Sequence, residues 1–141
     1  MNARVSVIAL DKRFKKLEKE LKKKILLPLE FLKLGEVEFE VYLVSRAEMR
    51  KINQEFRGKN QPTNILSFPW PREFPRVPRV PEKLGEIYLC PPVIRERKEG
   101  FEELLFHGLL HLSGFNHDIK NARMGMNKLE SNFSEWLKQR S

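Results

Sequence analysis

Cysteine is almost absent from this sequence, since Cys90 stands alone among 141 residues. A single cysteine can form no intrachain disulfide, and a reducing compartment suits such a composition. A chain of this length fits one domain and can bury a core without disulfides or a structural metal. We therefore predict one domain over residues 1–141, in which a bound metal is expected to serve chemistry.

Long apolar stretches are also missing. The apolar run at residues 5–10 ends at the charged Asp11, which is too early for a signal peptide. The run at residues 25–34 is interrupted by Pro28 and Glu30. Neither approaches the roughly 20 apolar residues that a membrane-spanning helix needs. We therefore expect a soluble, cytoplasmic protein without a membrane partner.

Acidic residues are in deficit, because 19 Asp and Glu stand against 27 Lys and Arg, for a formal net charge of +8. This balance favours polyanionic partners, chiefly nucleic acid, although many basic proteins bind nothing acidic. One face of the first predicted helix carries Lys12, Arg13, Lys15, Lys16, Lys19, Lys22, Lys23 and Lys24. This face could follow RNA phosphates, or it could be a solvated surface as in thermophile proteins. Both interpretations stay open.

Hydrophobic periodicity predicts four strands, at residues 5–9, 36–44, 65–68 and 84–90. The proline-rich residues between the last two predict an extended surface loop. Helices are predicted after Asp11, from Pro28 to Gly35, over residues 91–99 and 101–112, and from residue 121 onward. The order of these elements predicts an α+β fold, with one mixed four-stranded sheet and about five helices.

One further helix is predicted with particular precision. Ser45 and Glu48 have the spacing of a capping box, which begins a helix by satisfying its first backbone donors. Met49, Ile52 and Phe56 then recur at three and four residues. This spacing predicts that all three lie on one apolar face.

All three histidines of the chain lie in the window His-Gly-Leu-Leu-His-Leu-Ser-Gly-Phe-Asn-His. His107 and His111 are four residues apart, so a helix presents them on one face, one turn apart. Gly114 can end that helix and turn the chain, which brings His117 round as a third ligand. Three imidazoles leave a fourth tetrahedral position open, which is the pattern of catalytic zinc. We predict one zinc ion per chain, with another divalent transition metal as an alternative; histidines that only pack near a helix end are the structural alternative.

The same histidine spacing occurs in zinc peptidases, where a glutamate after the first histidine is the general base. Here that position is Gly108, which cannot take a proton. Peptide hydrolysis by that mechanism therefore loses its base, although the metal site remains.

These residues resemble the YbeY family, bacterial metal-dependent endoribonucleases involved in ribosomal RNA maturation and ribosome quality control. The resemblance is carried by the histidine window and by three further segments in family order. They are Asn53 with Phe56-Arg57-Gly58-Lys59, Pro62-Thr63-Asn64-Ile65-Leu66-Ser67-Phe68-Pro69, and Leu84-Gly85-Glu86-Ile87. The likeness covers nearly the whole chain. Asn64 and Asn116 depart from it, because the family usually has Asp at both places, and Asn cannot act as a carboxylate base.

The resemblance implies a single YbeY-like hydrolase domain over residues 1–141, with the metal helix lying across the sheet. It implies zinc on His107, His111 and His117, and RNA rather than DNA as substrate. The expected activity is that of a single-strand-type endoribonuclease acting on the 3′ end of 16S ribosomal RNA. Ribosomal RNA and ribosomal subunits are the expected partners, and the oligomeric state is left open.

With the family in view, Arg57 is the candidate for stabilising charge on the phosphoryl group. Lys59 is the candidate for binding the RNA backbone. Two other functions remain: a zinc hydrolase of another class, such as a peptidase or amidase, and a non-catalytic RNA-binding ribosome-assembly factor. Gly108 in place of a glutamate argues against the peptidase or amidase. The open fourth position on the metal argues against the non-catalytic assembly factor.

Overall fold

Four strands form one mixed sheet. The computed structural model describes residues 3–71, 80–114 and 120–140, with the backbone alone at residues 120–124. The strands are β1 (Arg4–Ala9), β2 (Val37–Leu43), β3 (Ile65–Pro69) and β4 (Glu82–Leu89). Their order is β1-β2-β4-β3, with β1, β2 and β4 parallel and β3 antiparallel to β4. The predicted mixed four-stranded sheet is confirmed, and β1 and β3 form its two edges.

Helices alternate with these strands and then follow them. A short 3-10 helix, Lys12–Phe14, precedes α1 (Leu17–Lys24), α2 (Leu26–Leu32), α3 (Arg46–Arg57), α4 (Pro91–Glu96), α5 (Phe101–Leu112) and α6 (Lys120–Arg140). The predicted α+β class is therefore confirmed. Both predicted ends of α2 were wrong, because the helix begins at Leu26 rather than at Pro28, and Lys33 in the left-handed conformation (φ 52°) follows its last residue, where the end was expected at Gly35. The predicted proline-rich loop falls largely on residues 72–79, outside the described residues.

The inner face of the sheet carries the main core. In β2, Val37, Phe39, Val41 and Leu43 are all buried, while the residues between them are partly exposed. Helices α1, α2 and α5 supply the other side of this core, through residues that include Leu21, Leu29 and Leu109. The strict alternation in β2 thus fixes which face of the sheet the helices cover.

The first helical region agrees with its predicted amphipathic pattern. Phe14, Leu21 and Ile25 are buried, and most of the lysines opposite them are exposed. Cys90, at the end of β4, is fully buried, and this burial raises the pKa of its thiol. It is therefore a core residue rather than a reactive one. Among the described helices, none combines the length and the apolar character needed to cross a lipid bilayer.

Helix α3 packs on the outer face of the sheet and ends beside β3. The Ser45–Glu48 capping box is present, and Met49 is buried against Leu66 of β3. Within α3, the buried Asn53 donates a hydrogen bond from Nδ2 to the carbonyl of Gln61, at 2.8 Å. This bond holds the loop after α3 against the helix, so the last residue of α3 has a defined place at the rim of the sheet.

Gly85 is required where β4 is irregular. The register between β2 and β4 shifts at Glu38 and Phe39, so Leu84 is an extra residue in β4. Gly85 then adopts φ +136°, and a Cβ there would lie 2.1 Å from the carbonyl oxygen of Phe68. This close approach lets β3 pair with β4 up to Pro69. The glycine of the Leu-Gly-Glu-Ile segment therefore has a structural cause.

We predict that Gly85→Ala lowers the free energy of unfolding by about 2 to 4 kcal/mol, from backbone strain and a main-chain clash. Gly125→Ala is the matched control, because it lies inside α6 and a Cβ there meets nothing within 4 Å. That control should stabilise the protein by about 0.5 to 1 kcal/mol. Chemical denaturation of the two variants measures both changes, and equal effects would contradict this account of Gly85.

Candidate metal and catalytic site

Two of the predicted ligands face each other on α5. The Nε2 atoms of His107 and His111 are 3.0 Å apart, and both side chains are partly buried. Helix α5 buries Leu105 and Leu109 toward the sheet and Phe106 and Leu110 toward α6. The histidines occupy the remaining stripe, which opens to solvent at the β3 edge.

The separation of these two nitrogens fits a shared metal ion. Two imidazole nitrogens at about 2.0–2.1 Å from one tetrahedral zinc ion lie about 3.3 Å apart. The observed 3.0 Å is close to this value, and neutral imidazole is a preferred zinc ligand. The predicted third ligand, His117, lies outside the described residues. Within the described part of the chain, no third histidine, cysteine or carboxylate completes a ligand set.

A carboxylate that the sequence analysis missed contacts the first histidine. Glu130 of α6 places Oε2 3.0 Å from Nδ1 of His107. A carboxylate accepts the Nδ1 proton, which leaves the Nε2 lone pair of His107 directed toward His111. This arrangement is the usual way in which proteins orient a metal-binding imidazole. The available signal was weak: Glu130 borders an apolar helix face, between Met126 and Phe133, that packs against the histidine helix.

Arg57 lies in the same cleft as the histidines. The cleft has a volume of about 320 Å³ and is lined by Arg57, Ile65, Leu66, Ser67, His107 and His111. Its walls are therefore the end of α3, the edge strand β3 and the histidine face of α5. Lys59 is exposed in the loop after α3 and is not among the described residues that line the cleft. The structure thus brings Arg57, but not Lys59, to the histidines.

Gly108 lies where α5 crosses β3 and β4. A Cβ at this position would lie 2.9 Å from Cδ1 of Ile87, 3.1 Å from Cδ1 of Ile65 and 3.2 Å from Oγ of Ser67. All three atoms are ends of side chains, and Ile65 and Ser67 also line the cleft, so a larger residue here would displace groups in the wall of the site. The close approach of α5 to β3 and β4 therefore favours a residue without a side chain at this position.

Asn64, which replaces the family's usual Asp, is engaged in structural bonds. Its Oδ1 accepts the backbone N–H of Ile65 at 2.8 Å, where β3 begins. Its Nδ2 donates to both carboxylate oxygens of Glu99, at 3.0 and 3.1 Å. An aspartate could keep the first bond but would face Glu99 with like charge. Asn116, the other departure, lies outside the described residues.

An α+β domain that joins paired helical histidines and an arginine in one open cleft has side chains suited to a hydrolase. Sequence comparison specifies the family. The chain belongs to the family described as Endoribonuclease YbeY, whose sequence profile matches residues 4–138.

Individual relatives carry the same name. An Endoribonuclease YbeY of Thermotoga maritima is 34% identical over 117 residues, which are 73% of each chain. One from Aromatoleum aromaticum is 37% identical over 106 residues, covering 69% of this chain and 64% of its own. A Thermotoga maritima protein solved in solution is 28% identical, with a TM-score of 0.47 over 96% of this chain and 93% of its own.

We predict that Glu130→Gln weakens zinc binding by about 10- to 100-fold, the usual effect of removing a carboxylate that orients a ligand. Competition with a chromogenic chelator measures this affinity without any RNA. The control is Glu135→Gln, an exposed carboxylate on the same helix, which should leave the affinity unchanged. If both variants bind zinc like the parent, the contact between Glu130 and His107 is an ordinary surface pair.

Proposed function

We propose that this protein is a zinc-dependent endoribonuclease that cuts single-stranded segments of ribosomal RNA. The cleft carries this proposal, because Arg57, His107 and His111 line one open cavity in a chain of the endoribonuclease family. We further propose that it acts in 3′-end maturation of 16S ribosomal RNA and in ribosome quality control. Ribosomal subunits are then its partners, and the excess of positive charge supports a polyanionic substrate.

The three histidines would hold the metal. His107 and His111 supply two neutral imidazole nitrogens, and His117 is proposed as the third ligand. Glu130 is the positioning residue that keeps the Nδ1 proton of His107 away from the ligand side. Zinc, when bound, supplies a Lewis acid and makes water more acidic, both useful for phosphodiester hydrolysis.

Arg57 is proposed to act on the substrate itself. Its guanidinium cannot bind a metal, because it stays protonated and has no free lone pair. From the rim of the cleft it can donate two parallel hydrogen bonds to phosphoryl oxygens. This contact strengthens as negative charge builds on those oxygens, so it favours the transition state over bound substrate.

Peptide hydrolysis is less well supported. The position of its general base is Gly108, which cannot take a proton. A non-catalytic assembly factor would bind RNA without cutting it. The cleavage rates of the Arg57 variants distinguish this function from that of an enzyme.

We predict about one zinc ion per chain after purification without added metal, because three imidazoles at one point favour zinc. His111→Ala should lose most of the bound zinc. Elemental analysis of both proteins measures the ratio. Equal metal uptake by parent and variant would remove His111 from the site, whereas nickel in place of zinc would change only the ion.

We predict that Arg57→Ala lowers the rate of RNA cleavage by about two to three orders of magnitude, as for removal of one preorganised donor. Its zinc content should not change, and its stability should shift by no more than about 0.5 kcal/mol. Arg57→Lys should recover only part of the rate, since an ammonium cannot form the paired contact. The substrate is a structured ribosomal RNA fragment, with kcat and KM measured separately.

The matched control is Arg50→Ala, which removes an exposed arginine from the same helix. It should cleave like the parent. Equal losses of affinity and rate in Arg57→Ala would make Arg57 a phosphate anchor. Parental activity in Arg57→Ala would show that it has no catalytic part.

A further inference from the structure

Phe56 does not follow the pattern of its own helix. The spacing of Met49, Ile52 and Phe56 predicts three buried residues, and Met49 is fully buried. Phe56 is instead 62% exposed, the most exposed large hydrophobic side chain in the described part of the chain. The exposed part of the ring adds no burial energy to folding and is open to contact with another molecule. What it can contact depends on where it lies.

The location is the rim of the cleft. Phe56 directly precedes Arg57, whose side chain lines the cleft with His107 and His111. In β3, Ser67 faces the cleft and Phe68 faces the outer side of the sheet. Phe56 packs against Phe68, so it lies just outside the wall that Ser67 helps to form. The ring is therefore within reach of a strand that leaves the cleft past Arg57.

The ring is held in place by other rings. The ring centroids of Phe56 and Phe68 are 5.0 Å apart, in an edge-to-face arrangement, and those of Phe68 and Tyr88 are 5.6 Å apart. The rings of Tyr88 and Tyr42 are stacked, with their centroids 5.0 Å apart. These four residues form an aromatic row across the outer face of the sheet, with Phe56 at its exposed end. A ring that already packs against another ring loses little conformational freedom when it binds a ligand.

Charge limits where a polyanion can lie on this face. Glu86 is the cross-strand partner of Phe68, and Glu40 is the partner of Glu86 on β2. Burial and the neighbouring carboxylates of Glu86 and Glu38 raise the pKa of Glu40. These acidic residues flank the row from Phe68 onward and repel phosphates from that part of the face. The exposed Arg57 and Lys59 lie beside the Phe56 end. An RNA strand can therefore approach Phe56 without following the whole row.

We propose that Phe56 is a stacking platform for one nucleobase of single-stranded RNA, next to the phosphate that Arg57 contacts. The proposal rests on the function proposed above and assigns a binding contact that selects single strands. In a duplex both faces of a base are covered, whereas in a single strand one face can stack on an aromatic side chain. Such stacking tolerates any base, because every base has an aromatic face.

The test compares variants of the zinc-loaded protein. Phe56→Ala and Phe56→Leu remove the aromatic ring, Phe56→Trp keeps one, and Leu26→Ala deletes an exposed apolar side chain elsewhere, on α2. The probe is a short single-stranded oligoribonucleotide with 2-aminopurine at successive positions, whose fluorescence is quenched by stacking. Quenching is read by rapid mixing before cleavage, and steady-state cleavage then gives kcat and KM.

In the parent protein we expect quenching at one position of the probe. It should be lost in Phe56→Ala and Phe56→Leu and kept in Phe56→Trp. KM should rise by about 5- to 100-fold in the first two variants, the range for losing one stacked base. The value of kcat should change by less than about threefold, since the ring touches no reacting atom. Leu26→Ala should behave like the parent, and binding of a fully paired duplex should not change.

Several results would overturn the proposal. Parental behaviour of Phe56→Ala would make the ring a solvated side chain, and parental behaviour of Phe56→Leu would make the contact apolar rather than stacked. A change of oligomeric state in Phe56→Ala, seen by size-exclusion chromatography, would assign the ring to an interface between copies. Failure of the parent protein itself to bind or cut RNA would reject the proposed function as well, and it is distinguishable because it shows in the parent.

Discussion

The close packing of α5 against β3 and β4 at Gly108 is the constraint on which the candidate site depends. Because this position has no side chain, α5 can lie close to the sheet: an added Cβ would come within 3.2 Å of side-chain atoms of Ile87, Ile65 and Ser67. His107 and His111 lie on the same helix and line the cleft with Ile65 and Ser67, so this approach contributes to their position relative to β3. A bulkier residue would displace the ends of these side chains, two of which belong to the wall of the cleft.

A second consequence of this packing concerns chemistry. The chain keeps the histidine spacing of zinc peptidases, but the intervening residue has become part of the helix–sheet interface. The helix sets the direction of the Cβ at this position, toward Ile87, Ile65 and Ser67. Two charged groups reach the histidines from other elements: α3 brings Arg57 to the cleft, and α6 places a carboxylate behind His107.

The features that depend on residues close together in the chain could be predicted from the sequence. The alternation in β2, the capping box at Ser45 and the spacing of the two histidines each depend on residues close in sequence, and each is present. Glu130 could not be predicted in this way, because it lies 23 residues from His107 and meets it only through helix packing. The left-handed Lys33 was missed because Gly35, two residues later, has the stronger intrinsic preference. Phe56 was misplaced because periodicity predicts a helix face but not how far the neighbouring sheet extends beneath it.

The sheet also separates the two surfaces that could contact RNA. The cleft lies at the β3 edge, whereas the lysine-rich α1 packs beside β1 at the opposite edge. Three strand spacings, about 14 Å, lie between the two edges. A contribution of the α1 lysines to the proposed RNA binding would therefore be a long-range attraction that weakens with salt. The short-range contacts proposed for the substrate all lie at the β3 edge, where α3 and α5 bring Arg57, Phe56 and the two histidines together.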